Sequence, residues 1–360
     1  MSNLLLSIIV PVSDAGSTLS RTLASIVASD LSRSAFEVIV VDDASTDGSA
    51  QIAARYADTV MRLSGSKCGA AYARNRGAEI ARGNVIAFVD PDIVVHADTL
   101  PRMLRRLSTQ SSIDAVTASH AQPDPADGWL SQYWKLLHRL GERAKGTSAN
   151  VASPCAAIRR DVFLAMGMYD EWRFASASLE GIELGNRLEA QGHGAMLVRD
   201  ADVQPLRAWN VIQMIREVWR RSALLARSLG YHRTRESVPS EVVFTLSRPA
   251  APAFAAVCAL ALSAAIVPQP SVLVTLAFIL IGAAIINGRA TAYFARERGW
   301  GFALALAPLH LLMQCVSGLG LCAGWVLRDA IGDRKPDATT QAYAEVGHET
   351  WPPVPRSSGR

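Results

Sequence analysis

The sequence has few of the features that mark secreted, redox or zinc-binding proteins. Its five cysteines are irregularly spaced and form no CxxC pair, which argues against a disulfide framework and against a zinc or thiol redox motif. We therefore expect reduced cysteines in a reducing compartment. The N-terminal segment MSNLLLSIIVPV has no basic region, and its short apolar run ends in proline. It therefore predicts a buried first strand and not a signal peptide.

An excess of charge of either sign is also missing. The 36 basic and 32 acidic residues leave a net charge of +4, so the charge balance gives no reason to expect a nucleic-acid partner. Hydrophobic residues make up 50% of the chain, which is high for a soluble protein and fits a chain that lies partly in a membrane. With 360 residues, we expect two regions of different character.

The first 90 residues alternate between short apolar runs and helical patterns. The apolar runs predict strands at Leu5–Val12, Phe36–Val41, Thr59–Leu63 and Val85–Val89. The patterns between them predict helices at Ser17–Ala28, Ser49–Tyr56 and Gly69–Ala81. This alternation predicts an α/β fold with a doubly wound sheet. In such folds ligands bind beyond the carboxyl ends of the strands, so the polar residues there are the candidate site.

Between residues 115 and 229, weaker patterns predict further strands and helices. They predict strands at Ala115–Ala118, Pro154–Ile158 and Ala195–Arg199. Trp129–Lys145 is an amphipathic stretch with aromatic and basic residues, and helices are predicted at Arg160–Met166, Leu179–Gln191 and Val211–Leu229. The last helix is amphipathic and carries several arginines among its apolar residues, which is typical of a helix beside anionic lipid headgroups.

The composition changes at Pro249. The segments Pro249–Val267 and Ser271–Ile286 are apolar and uncharged, and Phe302–Leu327 is apolar apart from one histidine. Each is close to the roughly 20 residues that a helix needs to span a bilayer. The short Pro268–Pro270 link suits a helical hairpin. The next link carries Arg289, Arg296 and Arg298, which the positive-inside rule places in the cytosol.

The predicted organisation is an N-terminal domain at 1–230, a linker at 231–248, membrane helices at 249–327 and a disordered tail at 328–360. We expect a multi-pass protein of the inner cell membrane with its N-terminal domain in the cytosol. Three full spans would put the basic start of the tail outside, against the charge rule. A full span, a re-entrant segment and an interfacial helix therefore all stay open for the third apolar segment.

Acidic residues follow two of the predicted strands. Asp42 and Asp43 close the second strand, and Asp90-Pro91-Asp92 closes the fourth. Carboxylates at this edge of the sheet suit Mg²⁺ or Mn²⁺ and a bound diphosphate. The alternative for an isolated Asp-x-Asp is a pair of solvated turn acids.

The third predicted helix begins with the small-residue segment GAAYARNRG, residues 69–77. Small residues let a helix start pack close to the sheet, where its backbone N–H groups could face a phosphate and Arg74 could add positive charge. An alanine-rich packing helix with a surface arginine explains the same residues equally well.

Order and spacing bring these motifs together. The segments VPVSD, VVDDASTDGS and GAAYARNRGAEIARGNVIAFVDPDIVVHADTL resemble the N-terminal half of family 2 glycosyltransferases. The resemblance continues through SPCAAIRRDVFLAMGMYDE, LEGIELGNRLEAQGH and VQPLRAW, and it covers about residues 5–210. It implies the GT-A fold, a Rossmann-like nucleotide-diphospho-sugar transferase domain.

The resemblance also implies roles for the donor site. Pro11, Ser13 and Asp14 match the first loop, which touches the nucleotide, and Asp43 matches the acid that contacts its base. Arg74 matches the position near the diphosphate.

The metal and catalytic positions follow in the same way. Asp90 and Asp92 match the motif that binds a divalent metal, with Asp92 as the more direct ligand, and Asp90 also faces the nucleotide-sugar. Glu180 falls in the acidic pair that supplies the catalytic base. The reaction implied is an inverting, single-displacement sugar transfer, in which the metal and positive groups offset charge on the leaving nucleoside diphosphate.

The sequence departs from the family pattern in three places. Ser13 and Asp14 stand where Tyr-Asn is usual, Gly181 replaces the aspartate that is the usual base, and Pro205 replaces a histidine that can support the metal. These departures leave two functions open. One is transfer of a sugar from a UDP- or GDP-sugar to a membrane-associated, lipid acceptor, as in glycolipid or polysaccharide synthesis. The other is a degenerate, non-catalytic membrane protein that binds a nucleotide-sugar or a partner.

Overall fold

The computed structural model describes residues 5–144, 151, 153–171, 179–228, 287–331 and 348–351. The chain forms two compact units. Unit 1 comprises Met1–Ala121, Lys145–Arg207 and Arg334–Arg360, and unit 2 comprises Gln122–Ala144 and Ala208–Asp333. The predicted linker at 231–248 and the first two apolar segments lie outside the described residues.

The first half of unit 1 is the predicted alternation of strands and helices. Its strands are β1 (Leu6–Val12), β2 (Phe36–Asp43), β3 (Thr59–Leu63) and β4 (Val85–Val89). They pair in parallel in the order β4-β1-β2-β3. The helices between them are α1 (Leu19–Val27), α2 (Ser49–Ala53) and α3 (Ala70–Ile80), and a short 3-10 helix spans Arg33–Ala35. Every residue of β1, β2 and β4 is buried, because helices cover both faces of a parallel sheet.

The second half of unit 1 makes the sheet mixed. Its strands are β5 (Ile93–Val95), β6 (Ile113–His120), β7 (Cys155–Arg159) and β8 (Gly194–Pro205). Strand β7 runs antiparallel to both β4 and β6, and β5 runs antiparallel to β8. The sequence did not predict β5, because three residues are too few to show a period. Strand β9 (His348–Trp351) pairs antiparallel with β3, inside the segment predicted as a disordered tail.

Side chains of the central strands alternate between two cores. Ile8, Val10, Val38 and Val40 pack on one face with α1 and α4 (Thr99–Thr109). Ile9, Ile39 and Val41 pack on the other face with α3, α6 (Arg160–Ala165) and α7 (Glu180–Ala190). Successive residues of a strand point to opposite faces, so one apolar run supplies both cores. Burying each such side chain stabilises the fold by about 1.5–3 kcal/mol.

Unit 2 is helical. It contains α5 (Trp129–Ala144), α8 (Val211–Ser228), a helical stretch at 287–298 and α9 (Trp300–Ile331). Their shared core includes Tyr133, Met214, Phe294 and Met313. Among the described residues, one helix, Trp300–Leu327, has the length and apolar composition to cross a membrane, and half of its most apolar window is buried.

Candidate functional site

The acidic and polar residues singled out in the sequence meet at one edge of the unit 1 sheet. Ser13 and Asp14 follow β1, Asp42 and Asp43 end β2, and Asp90 follows β4. These three strands are parallel neighbours, so their carboxyl ends lie side by side. This is the edge at which α/β sheets bind ligands.

The Asp43 side chain caps the start of α3. Its two carboxylate oxygens accept the backbone N–H groups of Cys68 and Gly69, each at 2.8 Å, and the residue is only 3% exposed. Gly69 has a φ of 96°, which a residue with a side chain rarely adopts. The carboxylate thus satisfies backbone donors that a helix start leaves unpaired. The predicted contact of Asp43 with a nucleotide base stays a prediction.

The loop after β1 is fixed by a network around Asp14, which has a φ of 52°. Its Oδ1 accepts the Thr46 N–H at 2.7 Å, and its Oδ2 pairs with Lys67. The hydrogen bonds from Lys67 and Thr46 lower the pKa of Asp14 to about 2. Ser13 donates to the Asp43 carbonyl at 3.3 Å, so the first loop touches the end of β2. Pro11 is buried within β1, opposite Val41.

Lys67 is a residue of the candidate site that the sequence motifs did not predict. It lies in the loop before α3 and is about half exposed, and hydrogen bonding to Asp14 raises its pKa. Its neighbours along the chain are small and polar, and nothing local marks it as a site residue. The structure therefore adds one cation to the group formed by Ser13, Asp14 and Asp43.

Arg74 links the two acidic motifs. Its Nη1 donates to Glu180 Oε1 and its Nη2 donates to Asp90 Oδ1, each at 2.7 Å. The Arg74 side chain is 12% exposed. Burial disfavours its charge, but the attraction of Asp90 and Glu180 outweighs that and raises the pKa of Arg74 above its ordinary value. Arg74, Asp90 and Glu180 together carry one more negative charge than positive charge. A further anionic group would therefore bind here favourably only together with a cation of its own.

The guanidinium of Arg74 also lies 5.8 Å from the centre of the Tyr169 ring. Tyr169 packs edge-on against Phe88 and Phe163, with ring centres 5.2 and 5.3 Å away. The Asn75 side chain donates to the Tyr169 carbonyl at 2.9 Å and accepts its N–H at 3.1 Å. Tyr169 therefore helps to position Arg74, and the sequence reading did not assign it this role.

Asp90 and Asp92 are the candidate metal ligands. Burial, and then the charge of Asp90, raise the pKa of Asp92 to about 6, while Arg207 acts in the opposite direction. Leu206 donates its N–H to the Asp92 carbonyl at 2.8 Å, and Pro205 pairs with Ile93, so the end of β8 lies beside this motif.

Within the described residues, no group of three or more His, Cys, Asp or Glu side chains gathers to bind a metal. Two carboxylates are nevertheless a suitable start for Mg²⁺ or Mn²⁺, which take oxygen ligands and fill their remaining positions with phosphate oxygens and water. Asp92 is partly buried, and a cation would relieve the penalty that this burial places on its ionised form. The residues fit a metal held jointly with a diphosphate.

Both glutamates in the first turn of α7 are paired with arginines. Glu180 is bound to Arg74. Glu183 accepts two hydrogen bonds from Arg187, at 2.6 and 2.7 Å, and Arg187 also donates to the carbonyls of Met166 and Met168. Glu183 therefore holds Arg187 against the turn that follows α6. Gly181, between them, is buried and carries no side chain to serve as a base.

Comparison with known proteins identifies the first part of the chain. Residues 7–167 match Glycosyl transferase family 2, and this stretch includes Arg74, Asp90 and Asp92. That part of the chain is thus similar to the family that the sequence motifs predicted. Glu180 lies beyond the matched residues.

Two curated relatives show the extent of the likeness. The uncharacterized glycosyltransferase YibD of Escherichia coli strain K12 is 35% identical over 135 residues, which are 37% of this chain and 38% of YibD. The glycosyltransferase AglE of Haloferax volcanii is 26% identical over 168 residues, 45% of this chain and 55% of AglE. The matches thus span about half of these relatives' length or less.

Among solved structures, the chain resembles the mannosyltransferase PcManGT from Pyrobaculum calidifontis in complex with GDP-Man and Mn²⁺. The TM-score is 0.59 at 22% identity, and the alignment covers 87% of this chain and 86% of that one. At this identity the likeness is one of fold. It confirms the predicted α/β GT-A fold.

Proposed function

We propose that this chain is an inverting glycosyltransferase that moves a sugar from a UDP- or GDP-sugar to a lipid acceptor at the cytosolic face of the membrane. The observation that carries the proposal is Arg74, held between Asp90 and Glu180 at the ligand edge of a family 2 domain. Support also comes from PcManGT, which has a similar fold and binds GDP-Man and Mn²⁺.

The chain's own residues account for binding the donor. Arg74 lies one turn into α3, and its fixed charge offsets negative charge that builds on the departing diphosphate. Asp43 and Gly69 set where α3 begins, and the backbone N–H groups of its first turn add to the same field. Ser13, Asp14 and Lys67 line the neighbouring end of β1, where the nucleotide would lie.

Asp90 and Asp92 would hold the divalent metal, Mn²⁺ or Mg²⁺. When bound, the metal supplies Lewis-acid compensation for the leaving phosphate. Asp90 also pairs with Arg74, so the metal and the guanidinium would act on the same diphosphate. Pro205 offers no side-chain ligand, so the metal would depend on the two aspartates and the diphosphate.

The acceptor is proposed to be a lipid phosphate. An alcohol acceptor loses a proton as it attacks, and a positioned base typically contributes ~100- to 10,000-fold. Gly181 has no carboxylate, and the neighbouring Glu180 and Glu183 are bound to Arg74 and Arg187. A phosphate oxygen is already ionised at neutral pH and needs no base. The competing account keeps an alcohol acceptor and gives the base role to Glu180.

The membrane location rests on the apolar C-terminal segments of the sequence and on the basic link between them. We propose that 249–286 forms an out-and-back hairpin, so that the link with Arg289, Arg296 and Arg298 stays in the cytosol. A lipid acceptor would then reach the enzyme from the same membrane face.

The direct test is a binding and transfer assay on the purified full chain. Nucleotide-sugars are screened for thermal stabilisation with and without Mn²⁺, since a ligand that binds the native state raises its stability by RT ln(1 + [L]/Kd). One UDP- or GDP-sugar should stabilise the protein in Mn²⁺, and its radiolabelled form should transfer sugar to a polyprenyl phosphate. Stabilisation by no nucleotide-sugar in Mn²⁺ overturns the proposal.

A second candidate is a degenerate relative that binds nucleotide-sugars or a partner without catalysis. Gly181 and Pro205 favour it, because each replaces a functional side chain of the family. Donor-induced stabilisation without transfer to any alcohol or phosphate acceptor would select this candidate.

A further inference from the structure

Helix α9 is apolar on its outer face as well as on the face that packs within unit 2. Its exposed side chains are apolar and include Leu304, Leu312 and Leu319. Its polar side chains His310, Gln314 and Ser317 are buried. Since a surface helix of a soluble protein buries its apolar stripe and exposes its polar one, the outer face of α9 is suited to a solvent other than water.

The buried polar groups of α9 all have partners within unit 2. The His310 Nδ1 and the Tyr133 hydroxyl are 2.8 Å apart, and Gln314 exchanges hydrogen bonds with the Asn287 side chain. The hydroxyls of Ser317 and Ser222 are 2.8 Å apart. These bonds fix which side of α9 faces α5, α8 and the 287–298 stretch, so the apolar side cannot rotate inward without leaving polar groups unpaired.

Exposed tryptophans mark the same unit. Trp129, Trp219, Trp300 and Trp325 belong to unit 2, and their exposed fractions run from 43% to 68%. Tryptophan concentrates at the boundary between lipid headgroups and acyl chains, because its ring is large and apolar while its N–H is polar. Two of them lie at the two ends of the apolar stretch of α9.

Helix α8 lies directly against the second half of α9. Gly320 packs on the Trp219 carbonyl and on Ser222, and a side chain at Gly324 would overlap the Ala223 carbonyl. The same part of α8 carries Arg220 and Arg221, which bind Glu217. If the second half of α9 entered a membrane, these charged groups of α8 would enter to the same depth.

This pairing argues against a helix that crosses the bilayer. An arginine at the centre of a membrane helix costs about 2.5–3.5 kcal/mol by insertion measurements. A crossing α9 would bring Arg220 and Arg221 into the hydrocarbon core beside Gly320, where part of that cost applies. The apolar stretch Trp300–Leu327 has 28 residues, which at ~1.5 Å per residue is ~42 Å, longer than the ~30 Å hydrocarbon core. In the membrane plane, by contrast, the arginines remain at the headgroups.

We propose that α9 lies in the plane of the membrane, with its apolar outer face (Leu304, Leu312 and Leu319) at the level of the upper acyl chains. The arginines of α8, including exposed Arg216, then face anionic headgroup phosphates. The occupant of this face is a bilayer containing anionic lipid. The inference rests on the proposed membrane location and not on sugar transfer. It also puts the basic start of the tail in the cytosol, in agreement with the positive-inside rule.

The test measures depth along α9 in the full chain. Leu304, Leu312 or Leu319 is replaced singly by an environment-sensitive fluorescent amino acid, which leaves the native tryptophans and cysteines in place. Each protein is reconstituted in vesicles of phosphatidylcholine and phosphatidylglycerol that carry nitroxide quenchers at known depths. Leu164, an exposed leucine of unit 1, is the matched control site.

We expect equal, shallow depths at the three α9 sites. A helix across the membrane would instead place 312 within a few ångströms of the midplane and 304 and 319 nearer the two surfaces. That profile overturns the proposal. Quenching at all three sites that is no stronger than at Leu164 also overturns it, because water or a second copy of the chain would then cover this face. Donor-induced thermal stabilisation reports on unit 1 alone, so failure here is distinguishable from failure of the proposed function.

Discussion

At the scale of single residues, the charge balance around Arg74 governs the candidate donor site. Two carboxylates share one guanidinium, and both hydrogen bonds use its forked geometry. A lysine carries the same charge but a single ammonium, which cannot make two directed bonds to separate carboxylates in the same way. Replacing Arg74 by lysine therefore tests the forked hydrogen bonding of the side chain while keeping its charge.

Arg74→Lys should weaken donor binding by about 10-fold, or about 1.4 kcal/mol, because one carboxylate loses its partner in a largely buried place. Titration calorimetry with the donor in Mn²⁺ measures the change. Arg76→Lys is the matched control, since Arg76 is on the same helix but pairs with Glu79 and Glu171. An Arg74→Lys affinity equal to that of wild type contradicts a role for Arg74 at the diphosphate.

Asp92→Ala should abolish the Mn²⁺ dependence of nucleoside diphosphate binding, because it removes a charged oxygen ligand from a hard cation. Asp43→Ala should weaken binding while leaving the metal dependence in place, since Asp43 positions the start of α3. Thermal shifts with UDP and GDP, with and without Mn²⁺, separate the two. Asp98→Ala, at a partly exposed aspartate that pairs with Arg102, controls for loss of charge. Wild-type behaviour of Asp92→Ala would remove Asp92 from the metal site.

Glu180→Gln separates the two accounts of the acceptor. The amide keeps the shape of the side chain but cannot accept a proton. With a lipid-phosphate acceptor the transfer rate should fall less than about 10-fold. With an alcohol acceptor and Glu180 as the base it should fall by ~100-fold or more at unchanged donor affinity. Glu183→Gln, which alters only the pair with Arg187, gives the background effect of losing an α7 ion pair. A collapse of transfer in Glu180→Gln alone rejects the phosphate acceptor.

At the scale of elements, the contact between α8 and α9 depends on two glycines one turn apart. Gly320 and Gly324 let the helices approach until backbone meets backbone, which is the effect of small residues spaced by four in packed helices. The polar bond between Ser222 and Ser317 lies in the same contact. The pair of helices is therefore specified by shape and by one buried hydrogen bond together.

Gly324→Leu should destabilise unit 2 by about 1–3 kcal/mol, as overpacking of a tight contact does. Gly301→Leu, at a position on the same helix with open space around it, should have little effect. Thermal unfolding of both variants in detergent, followed by circular dichroism, compares them. Equal midpoints for the two variants would mean that α8 and α9 do not pack as closely as the structure has them.

At the scale of the whole molecule, the proposed membrane arrangement has a simple topological consequence. If 249–286 forms a hairpin and α9 lies in the membrane plane, both the basic link and the tail face the cytosol. A cysteine introduced at Ala292 or at Thr340 should then resist impermeant maleimide in intact cells and react after permeabilisation. Labelling of Ala292→Cys from outside would reject the hairpin. Labelling of Thr340→Cys alone would mean that α9 crosses the membrane.

Local sequence patterns were sufficient to predict the order and position of the elements in the first half of unit 1. The bounds of β3 and β4 agree with prediction to the residue, and β2 extends two residues further, to Asp43. Hydrophobic periodicity records whether a segment is buried on one side or on both, and this property is local to the segment. The resemblance of motifs then predicted the GT-A fold, which the comparisons confirm.

Partner choice, in contrast, was decided only by the tertiary structure. Arg74 meets Glu180 across 106 positions of the chain, and Lys67 meets Asp14 across 53. Likewise β7 runs antiparallel to β4, and α5 and α8 pack with α9, although the sequence reading had placed them in the N-terminal domain. Periodicity states that a face is buried but not against what, because many apolar partners satisfy the same pattern. The long-range packing that selects one of them appears only when the whole chain folds.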